Sequence, residues 1–313
     1  QHINPKNPEM PSDIDVLLWL QPRRDSGPVI LLLSEYLAGG GRAIVALQHF
    51  NIQQRQYRGS GFQTVYWPQP QFQDFDRFSE LYGIAQTREV LFDRTQSHLA
   101  LETQVNRTAV REYDAQNVAL PFLIRAVAAN HARSSALTSH LGDLLFIWGN
   151  RFAFDMDKLR AANIKVEVPI TTSGQSWSYP WRGGWLPPEV FYSEDYLPAH
   201  QPLAVLLTGR FDRAAFGAEE EGRGQLSLVE KAVADGQLFL IGSSEMFKNE
   251  YLYAEGFQHD QLLLNAVAQM AYGEELAQLQ ARRPVSRGFA FLNPAAKSFW
   301  RAFSIGLAPL LFA

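Results

Sequence analysis

Short runs of apolar residues, each closed by small or turn-forming residues, recur along the chain. An unbroken apolar run is typical of a strand that is covered on both faces, because such a strand has no side facing water. We therefore expect these runs to be neighbouring strands of one mostly parallel sheet. The runs are residues 15–20, 43–47, 144–147, 203–207 and 238–241.

Two segments between and after these runs show helical spacing instead. Apolar residues recur at helix intervals in residues 29–37 and again in residues 262–270. Gly39-Gly40-Gly41 closes the first segment in the manner of a helix C-cap. A strand, a helix and a second strand predict a parallel pair joined by a right-handed crossover. The pattern thus indicates an α/β fold with helices on both faces of the sheet and long loop insertions at about 48–75 and 171–202.

The composition excludes several kinds of chemistry but does not identify the one that the protein carries out. The chain has 313 residues, 46% of them hydrophobic, so it can bury a substantial core. Its net charge of -4 gives no electrostatic case for binding nucleic acid. It contains no cysteine, which excludes thiol nucleophiles, cysteine-ligated zinc, iron–sulfur clusters and disulfides. We expect no cofactor and no metal.

The carboxyl end of the run at 238–241 is the first place to look for a catalytic residue. Gly242-Ser243-Ser244-Glu245 could form a serine elbow, but the G-x-S-x-G pattern fails because Met246 occupies the last glycine position. The histidines are isolated and lack metal-ligand spacing, so we expect them on polar loops or at the surface. They are His2, His49, His98, His131, His140, His200 and His259.

An aromatic loop, residues 176–196, is the strongest binding candidate. Its rings could stack on a sugar or other small ligand, anchor a protein partner, or fold back over the sheet edge. They are Trp177, Tyr179, Trp181, Trp185, Tyr192 and Tyr196. A pocket would favour a ligand-binding protein or an enzyme, whereas an exposed apolar patch would favour an accessory role. Such a pocket would be lined by Gln21, Trp148, Thr172, Ser173, Arg210 and Ser243.

The end of the chain is basic and then apolar. From residue 276 onward there is no acidic residue, and residues 302–313 are uncharged but too short to span a bilayer. We therefore predict an α/β domain at 1–280. At 281–313 we predict a basic juxtamembrane segment followed by the start of a membrane helix. The alternative is that the chain ends in a core helix. The membrane-proximal residues are Arg282, Arg283, Arg287, Lys297, Trp300 and Arg301.

Several of these segments together resemble a known family. The opening DVLLWLQP, an apolar helix and GGGRAIVAL resemble auxiliary proteins of uncharacterised ABC transport systems, the gliding-motility GldG-like proteins. Their soluble part is similar to a flavodoxin-like, class I glutamine-amidotransferase-like domain. Similar stretches follow in the same order: LYGI, VLFD, TTSGQSW, LAVLLTGRF, LFLIGSSEMFKN and LLLNAVAQMA. Two departures are Ser243-Ser244-Glu245, where many relatives carry an Asp, and the aromatic loop.

The resemblance implies a non-enzymatic accessory domain that faces the periplasm at the bacterial inner membrane. Its partners would be the ABC permease and ATPase subunits, with membrane lipid at the C-terminal end, and the chain would be part of a longer protein. The positive-inside rule would instead place the basic segment on the cytoplasmic side. The alternative function is a small-molecule or carbohydrate-binding protein or a cryptic serine hydrolase. Candidate ligand- or partner-binding residues are Trp177, Tyr179, Trp181, Trp185, Arg210, Ser243, Ser244 and Glu245.

Overall fold

Four of the five predicted apolar runs are neighbouring strands of one five-stranded sheet. The computed structural model describes residues 2–24, 26–58, 62–97, 120–138, 140–216 and 225–273, all within the unit Gln1–Ala281. The predicted boundary at 280, the membrane-proximal residues and His98 lie outside the described residues. Those parts of the sequence analysis stay predictions.

In chain order the strands are β1 (Leu17–Leu20), β2 (Arg42–Ala46), β3 (Phe50–Arg58), β4 (Phe62–Pro70), β5 (Ile84–Gln86), β6 (Val90–Asp93), β7 (Leu123–Ala126), β8 (Leu144–Ile147), β9 (Phe152–Phe154), β10 (Ile164–Thr171), β11 (Ser176–Tyr179), β12 (Pro202–Gly209), β13 (Arg213–Phe216), β14 (Leu226–Glu230) and β15 (Gly236–Ile241). The helices are α1 (Gly27–Ala38), α2 (Phe75–Leu81), α3 (Met156–Ala161), α4 (Asn249–Leu252) and α5 (His259–Tyr272). Short 3₁₀-helices lie at Ala128–Asn130, Ala136–Thr138, Pro188–Tyr192 and Glu245–Phe247. The predicted helices at 29–37 and 262–270 are confirmed as parts of α1 and α5.

The main sheet is mixed, which corrects the expectation of a mostly parallel, flavodoxin-like sheet. Its strand order is β1-β2-β15-β12-β10. The β1–β2 and β2–β15 pairs are parallel, whereas β12 is antiparallel to both β15 and β10. Parallel neighbours need a long crossover, usually a helix. The connection from β12 to β15 instead carries the β13–β14 hairpin, and its described residues contain no helix.

The run at Leu144–Ile147 does not belong to the main sheet. It is β8, which pairs antiparallel with β7 in a separate two-stranded sheet. Leu144 and Phe146 pack with the main sheet, while Leu145 and Ile147 face a second, aromatic cluster. Its continuous apolar sequence therefore reflects burial on both faces rather than membership in the sheet.

The two faces of the main sheet are covered by different elements. One face packs against α1, α2 and α3, with Leu33 and Leu37 of α1 fully buried there. The other packs against α5 and the β7–β8 hairpin, with Leu262 and Ala266 of α5 fully buried. Both faces thus carry a long helix, and the architecture is mixed α/β. Among the helices of the described ranges, none is long and apolar enough to cross a membrane.

The predicted insertion at about 48–75 contains a hairpin rather than a loop. β3 pairs with β4 from Phe50↔Pro70 to Arg58↔Phe62. Phe50 and Ile52, two residues apart, are buried, whereas Gln53, Gln54 and Arg55 after them are exposed. We predicted a loop here because the stretch is rich in glutamine, which is typical of loops. The hairpin contributes Phe50 and Ile52 to the aromatic cluster that also contains Trp177.

Candidate functional site at the carboxyl edge of the sheet

Loops converge where β1, β2, β10 and β15 end, because these four strands run in the same direction. We call this side of the sheet the carboxyl edge. Gln21 follows β1, Gln48 lies just beyond β2, Thr172 follows β10, and Ser243 lies just beyond β15. Open α/β sheets place their sites at such edges. The predicted convergence of Gln21, Thr172 and Ser243 at one edge is therefore present.

Arg210 does not join these residues. Because β12 runs antiparallel, its last residue, Gly209, pairs with Gly236 at the start of β15. Arg210 therefore lies at the opposite end of the strands, which we call the amino edge, where its Nε is 3.4 Å from Oδ1 of Asp235. The expectation that Arg210 and Ser243 line one pocket is wrong, since it assumed a parallel strand at 203–207.

The hydroxyl of Ser243 is engaged in holding the fold. Ser243 is fully buried, and its Oγ donates a hydrogen bond of 2.9 Å to the carbonyl oxygen of Ile147. An activated serine nucleophile needs its hydroxyl within reach of a general base and of substrate. A hydroxyl that donates to a buried backbone carbonyl ties β8 to the end of β15 instead.

Gln48 organises the turn that follows. Its side-chain Oε1 accepts hydrogen bonds from the backbone N–H groups of Ser244 (2.9 Å) and Glu245 (3.3 Å). Its Nε2 donates to the carbonyl oxygen of Phe50 at 2.7 Å. The N–H groups at the start of a helix have no partner within that helix. Gln48 supplies this partner for the 3₁₀-helix at Glu245–Phe247, whereas the side chain of Ser244 makes no capping bond.

Glu245 carries a buried carboxylate on the same turn. Its Oε1 accepts a hydrogen bond of 2.6 Å from Nζ of Lys248, and the residue is only 5% exposed. Its Oε2 and the Oγ of Ser244 have no hydrogen-bond partner in the described chain. All three residues predicted here, Ser243, Ser244 and Glu245, are thus buried.

A second polar group at this edge was missed by the sequence analysis. His49 Nε2 lies 3.1 Å from Oδ1 of the buried Asp76, which also accepts a hydrogen bond of 2.9 Å from Gln73. Burial alone would raise the pKa of the Asp76 carboxyl, but hydrogen bonds from His49 and Gln73 and the charge of Arg88 hold it below its usual value. A histidine oriented by a carboxylate is a common general-base arrangement. Here the hydroxyl of Ser243 donates to the Ile147 carbonyl and not to His49.

The expectation of surface histidines is wrong at three positions. His49, His131 and His259 are all less than 9% exposed. In the fully buried His259, Nε2 accepts from the Leu145 N–H at 2.9 Å, so Nδ1 carries the proton that reaches the Tyr251 carbonyl at 2.8 Å. Burial lowers the pKa of the His259 imidazole. A neutral ring with both nitrogens in use connects β8 to α5, and no sequence spacing signals this role.

The turn Thr171–Trp177 is held by a buried carboxylate. Asp93 at the end of β6 accepts hydrogen bonds from Ser173 Oγ (2.6 Å) and from the backbone N–H groups of Ser173 and Thr95 (both 2.7 Å). Burial raises the pKa of the Asp93 carboxyl, although these hydrogen bonds oppose the shift. Asp93 and Ser173 therefore order the loop that leads into β11.

The aromatic loop points in two directions. Trp177 is 2% exposed, stacks on Phe92 with ring centroids 5.5 Å apart, and donates from Nε1 to the Val190 carbonyl at 2.7 Å. Trp181 packs edge-on against Phe50, and Tyr179 is half-buried. This part of the loop therefore packs into the core. It agrees with the third alternative given above, in which the rings fold back over the protein.

Two rings of the same loop face outward. Trp185 is 51% exposed and Tyr192 is 74% exposed. The residues beside them contact Tyr66 of β4. Leu186, next to Trp185, donates its N–H to the Tyr66 carbonyl at 2.7 Å, and Phe191, next to Tyr192, packs edge-on against the Tyr66 ring with centroids 5.4 Å apart. We call Trp185 and Tyr192 the aromatic rim. Their sequence neighbours, Leu186 and Phe191, pack in the aromatic cluster and anchor the loop at both positions.

A family model described as an ABC-type uncharacterized transport system matches residues 1–275. The chain belongs to this family. The match includes every described residue, so the carboxyl edge and the aromatic rim both belong to the family domain. The resemblance to auxiliary components of ABC transport systems is thereby confirmed at the level of the family. No curated protein and no solved structure matches the chain.

Proposed function

We propose that the chain is a GldG-like, non-enzymatic accessory domain of an ABC transporter complex. In this proposal it faces the periplasm at the bacterial inner membrane, contacts the permease and works with the ATPase subunit. Membership in a family of ABC-type transport components supports this class of partner. The GldG-like subfamily, the membrane side and the subunits contacted are parts of the proposal.

The observation that carries the proposal is the aromatic rim. Trp185 and Tyr192 expose large rings on a loop that is anchored through the buried Trp177. Exposed aromatic residues with a fixed geometry contribute large contact area at small entropic cost, which is why they are enriched among interface hot spots. A protein partner can use such a surface without rearranging the domain.

The hydrogen bonding at the carboxyl edge supports a role without catalysis. Ser243 donates to a backbone carbonyl, and Gln48 bridges Phe50 to the turn at Ser244. These hydrogen bonds give Ser243 and Gln48 a structural role in stabilising loops, and that role requires no catalysis. A panel of ester, amide and glycoside substrates is expected to show no turnover above buffer, and turnover that Ser243→Ala abolishes would contradict the proposal.

Copurification tests the partner directly. The chain is coexpressed with ABC permease and ATPase subunits from the same organism and recovered from detergent-solubilised membranes through a tag on the permease. We expect the double variant Trp185→Ala/Tyr192→Ala to reduce recovery of the chain at least about tenfold, since two hot-spot aromatics together contribute more than about 1.4 kcal/mol. Tyr272→Ala at the end of α5, which is 61% exposed, is the matched control and should copurify like the wild type.

A carbohydrate-binding protein is the second candidate, because exposed ring faces also stack on sugars. The two functions respond differently to the same substitutions. If the rim serves a carbohydrate, the double variant loses binding on a glycan array while permease copurification is unchanged. If it serves the permease, copurification falls and the wild type gives no specific array signal.

A further inference from the structure

A row of polar side chains crosses the main sheet at the amino edge. Lys165 pairs with Thr208, Thr208 with Gln237, and Gln237 with Arg42, so four polar residues stand in register on four adjacent strands. They line a cleft of about 240 Å³ together with Glu167, Gln269 and the end of α5. We call it the amino-edge cleft.

The cleft begins where the apolar face ends. Thr208 lies two residues from the buried Leu206 of β12, and Gln237 two residues from the buried Phe239 of β15, so both continue the face that α5 covers. Arg42 reaches from that face to α5, where its Nη1 donates to the Ala271 carbonyl at 3.4 Å. The cleft is therefore at the opposite end of the strands from the carboxyl edge.

Two acceptor oxygens in this cleft lack donors. Oε1 of Glu167 and Oε1 of Gln269 are both buried and have no hydrogen-bond partner in the described chain. Gln269 as a whole is only 9% exposed. Most buried polar atoms are hydrogen-bonded, so two acceptors without donors beside one small cleft are available to a ligand that brings N–H or O–H donors.

The charges around the cleft add a second requirement. Arg42 and Lys165 stand at the two ends of the polar row, and the carboxylate of Glu167 follows Lys165 by two residues on β10. A simple anion would satisfy the two cations and repel Glu167. A simple cation would satisfy Glu167 and Gln269 and repel the other two. A ligand with both charges complements the whole set.

We propose that the amino-edge cleft binds a small zwitterion that carries an acidic group and a primary ammonium group. The acidic group contacts Arg42 and Lys165, and the ammonium group donates hydrogen bonds to Oε1 of Glu167 and Oε1 of Gln269. Two sources share this chemistry: a free amino acid and the phosphoethanolamine headgroup of a lipid. This site is separate from the aromatic rim, and the inference does not depend on the proposed function.

Soluble probes test the chemistry first. The full chain is titrated calorimetrically with glycine, O-phosphoethanolamine, phosphocholine and inorganic phosphate. We expect binding of glycine, of O-phosphoethanolamine or of both. Phosphocholine should bind at least about tenfold more weakly than O-phosphoethanolamine, because its quaternary ammonium has no N–H to donate and a charge-assisted hydrogen bond is worth that factor. Inorganic phosphate that binds as tightly as the tightest zwitterion would overturn the proposal.

Substitutions locate the binding. Glu167→Gln and Gln269→Met are each expected to weaken the tightest probe at least about tenfold, since each removes a charge or an acceptor from the ammonium site. Glu189→Gln, an exposed carboxylate in the aromatic loop, is the matched control and should leave binding unchanged. Thermal unfolding of each variant checks that the fold is intact. Binding that is unaffected by both cleft substitutions overturns the proposal.

Vesicles distinguish the two sources. The wild type and Glu167→Gln are sedimented with vesicles of phosphatidylcholine alone and of phosphatidylcholine mixed with phosphatidylethanolamine. Extra binding to the mixed vesicles that Glu167→Gln removes identifies the lipid headgroup. Soluble binding with equal sedimentation on both vesicles identifies a free solute. If no zwitterion binds in either arm, the proposal is wrong.

Discussion

The clearest quantitative prediction concerns Gln48, whose amide bridges β3 to the turn after β15. Gln48→Leu keeps the approximate size of the side chain but removes its donor and acceptor. Three buried backbone groups then lose a partner: the N–H groups of Ser244 and Glu245 and the carbonyl of Phe50. Each unpaired buried group costs about 1–3 kcal/mol. Since the chain relaxes in part, we expect a loss of about 3–5 kcal/mol in the free energy of unfolding.

Urea unfolding followed by tryptophan fluorescence measures this loss. Gln175→Leu is the matched control, because Gln175 is exposed in the turn before β11, and it should change the free energy of unfolding by no more than about 0.5 kcal/mol. A Gln48→Leu protein within about 1 kcal/mol of the wild type would show that the bridge does not stabilise the carboxyl edge as the hydrogen bonds indicate.

Three further predictions separate structural from functional roles. Trp177→Ala should cost about 3–5 kcal/mol in the free energy of unfolding because its ring is buried, whereas Trp185→Ala should cost about 0.5 kcal/mol; equal losses in urea unfolding would contradict the division of the loop. Ser243→Ala should cost about 0.5–1.5 kcal/mol, since the Ile147 carbonyl loses its donor at 2.9 Å but keeps the Gln48 Nε2 contact at 3.4 Å, and thermal unfolding that is unchanged would argue against that role. For His259 the folded pKa is lowered, so the unfolded chain binds a proton that the folded chain does not, and stability should fall as pH drops below about 6.5. His259→Gln should reduce this pH dependence between pH 8 and 5, while the buried His131, whose pKa is also lowered, still contributes to it, and an unchanged slope in urea unfolding would count against the buried neutral histidine.

The sequence predicted where most buried strands and helices lie and that β1 and β2 form a parallel pair, but not how the other strands pair. The apolar runs at 43–47, 203–207 and 238–241 correspond to strands of one sheet that are covered on both faces. The run at 15–20 contains the edge strand β1, whose Leu18 and Leu20 are 44% and 38% exposed. The run at Leu144–Ile147 has the same composition for another reason, being buried between the main sheet and the aromatic cluster. Local sequence reports burial, whereas pairing depends on contacts between distant segments.

The wrong direction predicted for β12 changed the candidate site more than any other error. The antiparallel placement of β12 follows from a hairpin connection, which the sequence analysis had not recognised around Arg213–Phe216 and Leu226–Glu230. One reversed strand moved Arg210 to the amino edge and removed it from the expected pocket. The same reversal places Thr208 in the polar row of the amino-edge cleft.

The polar bridges could not be predicted because their residue types are uninformative. Gln48 and His49 stand in a stretch whose glutamine-rich composition is typical of loops. Their buried roles depend on Ser244 and Asp76, which are distant in sequence or belong to another element. The aromatic loop was ambiguous for a similar reason, since Trp177 and Trp185 differ in exposure but not in composition.

The most direct test of the accessory role is site-specific photocrosslinking in cells that express the whole transport system. A photoreactive phenylalanine analogue replaces Trp185, and in a parallel strain it replaces Tyr272, which is exposed at the amino edge. The account predicts that the analogue at position 185 crosslinks to the permease and that the one at position 272 does not. Crosslinking to the permease from neither position, with both proteins present at normal levels, would contradict the claim that this domain works through its aromatic rim as a transporter component.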